Sequence, residues 1–83
     1  MDWDKIMRFA SYYGLQFMFG YDDEHVSITL KYRDEHVFYE KTRYVSKNIF
    51  NKLTQNGKAE TIHDLMTNLA KDFETDGRKN GLI

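Results

Sequence analysis

From Val26 to Arg33 the chain alternates without a break. Val26, Ile28, Leu30 and Tyr32 fall on one side, Ser27, Thr29, Lys31 and Arg33 on the other. A period of two is the signature of a β-strand with one buried and one wet face. Such a strand needs neighbours for its hydrogen bonds and a cover for its apolar side. The rest of the chain must supply both, within 83 residues. That length holds one core and one domain.

A sequence echo marks the neighbours. Asp23-Glu24-His25-Val26 opens the central strand, and Asp34-Glu35-His36-Val37 follows it. Each acidic cluster reads as a turn feeding a run of β-branched and aromatic residues. Leu15 to Phe19 alternates ahead of the first turn, and Val37 to Val45 gives a third strand after the second. The register of this second hairpin has two solutions. An even-length turn places Tyr32, Leu30 and Ile28 opposite Val37, Tyr39 and Lys41. An odd-length turn places Leu30 opposite Phe38, and leaves Tyr39, Lys41 and Arg43 on the face of Ser27, Lys31 and Arg33. A slip of one residue exchanges the two faces. The odd turn is preferred, because it keeps Lys41 and Arg43 out of the core.

Helices at the two ends supply the cover. Asp2 can cap a helix over Trp3 to Tyr13, where Trp3, Ile6, Met7, Ala10 and Tyr13 share one face and Gly14 marks the end. Ser46 suits the start of a short helix carrying Ile49, Phe50 and Leu53, closed by a turn at Asn56-Gly57. Thr61 with Asp64 resembles a capping box. Behind it Ile62, Leu65, Met66, Leu69 and Phe73 form a helical stripe that Gly77 should stop. The expected order is α-β-β-β-α-α: an α+β fold with a three-stranded antiparallel sheet packed by N- and C-terminal helices. Residues 1–77 make the single domain, and 78–83 should fray. The expected core is Ile6, Met7, Ala10, Phe17, Phe19, Val26, Ile28, Leu30, Leu65, Leu69 and Phe73.

Several function classes are disfavoured. With no cysteine, neither a disulfide framework nor a thiolate zinc site can form. His25, His36 and His63 lack a short-spaced ligand pair, so no metal and no cofactor are expected. Ser11, Ser27 and Ser46 sit in helix, strand and cap contexts rather than at a nucleophile elbow, and the five glycines are scattered. These residues point to a protein that is not an enzyme. The acidic start, Met1-Asp2-Trp3-Asp4-Lys5, is unlike a signal peptide, and no apolar run matches a membrane span. The expected setting is cytoplasmic, without membrane contact.

Charge is uneven. The net formal charge is −1, yet residues 31–58 hold Lys31, Arg33, Lys41, Arg43, Lys47, Lys52 and Lys58 against Asp34, Glu35 and Glu40. A solvated strand face explains such a run. So does an anion-binding hairpin, because cations neutralise phosphates and tyrosine rings stack on bases. Lys31, Arg33, Tyr39, Lys41 and Arg43 are therefore the candidate binding residues, with Tyr32 and Tyr44 beside them.

Two resemblances follow from these residues. The α-β-β-β-α order resembles the double-stranded-RNA-binding domain. That family carries a lysine cluster at the start of its last helix, where this chain has Thr61-Ile62-His63-Asp64, so its RNA contacts are not carried over. In overall style (small, free of Cys and Pro, rich in Lys, Asn and Tyr) the chain resembles phage and mobile-element proteins such as anti-CRISPR inhibitors. That resemblance implies surface binding to a host protein, often without enzymatic activity. The leading expectation is a non-catalytic protein-interaction module, a phage-type inhibitor of a host defence or nucleic-acid-processing protein. The alternative is a nucleic-acid-binding module using the basic hairpin. An exposed third-strand edge can also pair with its own copy to make a homodimer.

Overall fold

The structure, a computed structural model, describes residues 2–83. Its elements are α1 (Trp3–Tyr13), β1 (Gln16–Tyr21), β2 (His25–Arg33), β3 (Phe38–Ser46), α2 (Lys47–Asn51) and α3 (Gln55–Lys79). The three strands form one antiparallel sheet in the order β1-β2-β3, with the alternating strand at its centre. This is the α+β fold and element order that the sequence predicts.

The start of α1 is set by Asp2, whose carboxylate accepts the Lys5 N–H at 2.8 Å. Its end is set by Gly14 at φ 66°, after which the Leu15 N–H returns to the Ala10 carbonyl at 2.8 Å. The buried face is rotated from the expected stripe. Ile6 is enclosed, and Phe9 and Tyr13 pack on the core, whereas Trp3 and Met7 are about half exposed. The cause is Phe73 of α3, which draws in the rings of Phe9 and Tyr13 with centroids at 6.1 and 5.4 Å.

Phe73 is also the hub on the sheet side, with the rings of Tyr32 and Tyr39 at 5.3 and 5.5 Å. Ile28 and Leu30 of β2 and Leu65, Met66 and Leu69 of α3 share its buried cluster, and Val26 and Ala70 are buried as well. Phe19, an expected core residue, is instead 59% exposed. It lies on the helix side of β1, but α3 packs over β2 and β3 and leaves that edge uncovered. Ala10 and Phe17 are half-buried.

Two expected boundaries are replaced. Asn56-Gly57 is not a turn: Thr54 caps α3 by accepting the Gly57 N–H at 3.1 Å, so both residues lie in its first turn. Thr61 is an interior residue whose hydroxyl donates to the Gly57 carbonyl at 2.8 Å. Gly77 does not stop the helix either. It is buried, and the chain end folds against it, with the Leu82 N–H on its carbonyl at 2.7 Å. The reversal is made at Gly81, φ 74°. Where fraying is expected over 78–83, α3 continues to Lys79 and Leu82 packs against the core. No helix among the described residues is long and apolar enough to cross a membrane.

Candidate interaction surface

Both hairpin loops are built by the same device. Asp22 Oδ1 accepts the N–H groups of Glu24 and His25 at 2.8 and 2.7 Å, and Asp34 Oδ1 accepts those of His36 and Val37 at the same distances. In each loop the aspartate N–H also donates to the carbonyl three residues on, at 3.0 and 2.9 Å. The structural repeat therefore aligns Asp22 with Asp34, one residue out of step with the sequence echo of Asp23 and Asp34. These donated bonds, with the Tyr32 hydroxyl on Asp34 as well, hold both carboxyls below their ordinary range.

Equal loops fix the second register. Tyr21 pairs with Val26 across the first, and Arg33 with Phe38 across the second. Leu30 thus stands opposite Lys41 and Ile28 opposite Arg43. The preferred odd-length turn is overturned, and so is the single basic hairpin face that depended on it. Lys31 and Arg33 point to one side of the sheet, and Tyr39, Lys41 and Arg43 to the other, toward α3.

The second group is already occupied by α3. Arg43 grips Asp72 with two bonds, Nε to Oδ2 at 2.6 Å and Nη2 to Oδ1 at 2.9 Å. Tyr39 donates to Asp76 Oδ2 at 2.6 Å. The Lys41 ammonium lies 3.7 and 3.6 Å from the two carboxylates. Asp72 and Asp76 are four apart on a helix and so share a face, which is how they meet one side of a strand. Arg43 holds the Asp72 carboxyl below its ordinary value against the opposing effect of burial. Burial, then the Asp76 bond, pushes the Tyr39 hydroxyl well above its ordinary 10.0. This arrangement joins strand to helix. Charged residues facing the covered side are tolerated because the covering helix brings their counter-charges.

The opposite side of the sheet is open. Gln16 and Met18 of β1, Ser27, Thr29, Lys31 and Arg33 of β2, and Phe38, Glu40, Thr42 and Tyr44 of β3 alternate out of the core. Those on the outer strands are exposed, with Met18 at 49%, Phe38 at 61% and Tyr44 at 62%. The Cα atoms span only 17 Å along the shortest axis, room for one helix layer against one face of the sheet. The open surface is mixed. Lys31 stands opposite Glu40, the Thr29 and Thr42 hydroxyls are 2.6 Å apart, and His25 meets the Tyr44 ring edge-on at 4.6 Å. A recess of about 400 Å³ lies between Gly14, Gln16, Lys31, Arg33 and Phe38. A second of about 230 Å³ lies among Met18, Phe19, Gly20, Thr29, Lys31 and Glu40.

Of the five candidate binding residues, only Lys31 and Arg33 belong to this surface. Tyr44, named beside those candidates, lies here as well, and Met18 and Thr29 stand on the faces expected for their strands without being singled out. Phe38 and Thr42 escape the sequence reading because the β3 register is the other one. The signal that finds them is the paired aspartates: Asp22 precedes Val26 by the interval at which Asp34 precedes Phe38. His36 is exposed on the second loop, and His63 meets the Trp3 ring at 5.1 Å. No group of three or more potential metal ligands occurs among the described residues. No protein-family model, curated protein or solved structure matches the chain.

Proposed function

We propose that the protein is a non-catalytic interaction module that binds a protein partner through the open face of its sheet. The observation that carries this reading is the composition of that face. Three large apolar side chains, Met18, Phe38 and Tyr44, are about half exposed or more beside hydroxyls and a few charges of both signs. Exposed aromatics and methionine set among satisfied polar groups are the chemistry of protein interfaces. The finer reading, a phage-type inhibitor of a host defence or nucleic-acid-processing protein in the cytoplasm, rests on the resemblance of size and style. Nucleic acid is the weaker partner for this surface, because Lys41 and Arg43 are committed to α3.

The test is affinity capture from a bacterial lysate with three baits. Wild type and an Ile49→Ser control, altered at an exposed apolar position outside the sheet, should retain the same partner. A Phe38→Ser/Tyr44→Ser variant should lose it. Equal capture by all three baits, or by none, counts against the open face. Binding to a nucleic-acid strand that weakens steeply with salt and needs Lys31 and Arg33 would favour the other partner class.

A further inference from the structure

The two edges of the sheet are not alike. β3 carries Glu40, Lys41 and Arg43, while β1, Gln16-Phe17-Met18-Phe19-Gly20-Tyr21, carries no charge and no proline. Its side chains are exposed on both faces of the sheet: Met18 on the open side, Phe19 and Tyr21 on the helix side, at 49%, 59% and 57%. Soluble proteins guard free edges with charge, proline or bulges, and β1 has none of these. From the Asp22 N–H bond to His25, antiparallel parity turns the backbone groups of Gln16, Met18 and Gly20 inward to β2. Those of Phe17, Phe19 and Tyr21 are left facing outward.

We propose that β1 is a homodimer edge, pairing antiparallel with β1 of a second copy about a two-fold axis at Phe19. An axis there matches every outward donor with an acceptor. Phe19 faces Phe19, and Phe17 faces Tyr21 in both directions, so the two sheets become one. On the open side, Met18 of each copy lies across from Gly20 of the other, which sets no side chain of its own against the thioether; Ser27 Oγ fills the place where a Cβ would stand. On the helix side, directly opposed aromatic pairs replace half-exposed rings. The second copy is favoured over a foreign strand because β1 satisfies its own outward bonds symmetrically and meets no like charge. The third-strand edge, the sequence-based candidate for a dimer, meets like charge at its middle and escapes it only when centred on Tyr39 or Tyr44, toward its ends. Centred on Glu40, Lys41 or Arg43, its symmetric pairing opposes identical charges, and centred on Thr42 it sets Lys41 against Arg43. The dimer is independent of what the open face binds.

Sedimentation equilibrium at high micromolar concentration should give twice the 10.0 kDa of one chain. Phe19→Lys and Phe19→Glu should each sediment as monomers with unchanged circular dichroism, since Phe19 is exposed in the single chain. Mixed together, they should restore the double mass, because only a two-fold at this residue brings the opposite charges face to face. The chain has no cysteine, so Phe19→Cys provides a single thiol that should oxidise to a covalent dimer. A monomer at high concentration overturns the proposal. So does a dimer that tolerates Phe19→Lys, or one whose charge variants fail to recombine.

Discussion

Asp72 carries more of the strand–helix attachment than any other single carboxylate, since it takes both bonds from Arg43 and lies close to Lys41. Its side chain is 16% exposed while that of Arg43 is 42% exposed, so the pair is neither a surface ion pair of little worth nor a fully desolvated one. Removing the acceptor leaves a guanidinium partly covered and unmatched. Asp72→Ala should therefore cost about 1–3 kcal/mol in urea unfolding, the range for hydrogen bonds to charged groups with discount for solvent. The same residue sets a pH dependence. Its folded pKa lies below the ordinary 3.8, so its contribution is complete above that value and fades as pH falls through the folded one. Asp22 and Asp34 shift in the same direction. Unfolding measured across the acid range should lose stability in wild type and show a shallower loss in Asp72→Asn. At the alkaline end Tyr39 behaves oppositely: its raised pKa gives stability that is complete below 10.0 and lost as pH rises toward the folded value. Tyr39→Phe should flatten that alkaline decline.

Among the elements, α3 decides whether the sheet has a core. Leu69 is wholly buried between the sheet and α1's inner face, and Leu69→Ala should cost ~2–5 kcal/mol by lost transfer energy and a residual cavity. A loss under about 1 kcal/mol would mean that this face does not pack as described. The far end of α3 makes a contact that propensity alone does not foresee. An added Cβ on Gly77 would lie 3.1 Å from Ile83 Cγ1, so the returning chain and the bare glycine fit each other. Deleting Leu82 and Ile83 should lower stability by about 1–2 kcal/mol, because a half-buried leucine leaves the core and the Gly77 carbonyl loses its donor. Gly77 reads as a stop in the sequence because helix-ending glycines are common, while the tertiary reason for a glycine inside a helix is invisible there. The elements with strong periodicity, α1, β2 and the stripe from Ile62 to Phe73, were legible from the residues alone. The second hairpin was not, for a physical reason. Keeping Lys41 and Arg43 out of the core is sound only when no counter-charge waits there, and Asp72 and Asp76 lie some thirty residues away in sequence. Register was decided by a long-range ionic match and by loop chemistry, and only the second leaves a local trace.

For the whole molecule, the thin build has a thermodynamic consequence. A single helix layer on a three-stranded sheet buries one face, so an 83-residue chain of this shape stands near the lower end of the usual ~5–15 kcal/mol. Association is then a large share of its stability, because a partner that binds only the folded chain stabilises it by mass action. If two copies join through β1, the urea midpoint should rise with protein concentration while the slope stays that of one cooperative unit. Phe19→Lys should abolish that dependence without lowering the midpoint found at the greatest dilution, since the position is exposed when the chain is alone. A Phe38→Ser/Tyr44→Ser variant, altered on the open face and not at the β1 edge, should keep the dependence at a cost below about 1 kcal/mol. Denaturation curves of the three proteins over a wide concentration range thus separate the edge proposed to join like to like from the face proposed for a different partner.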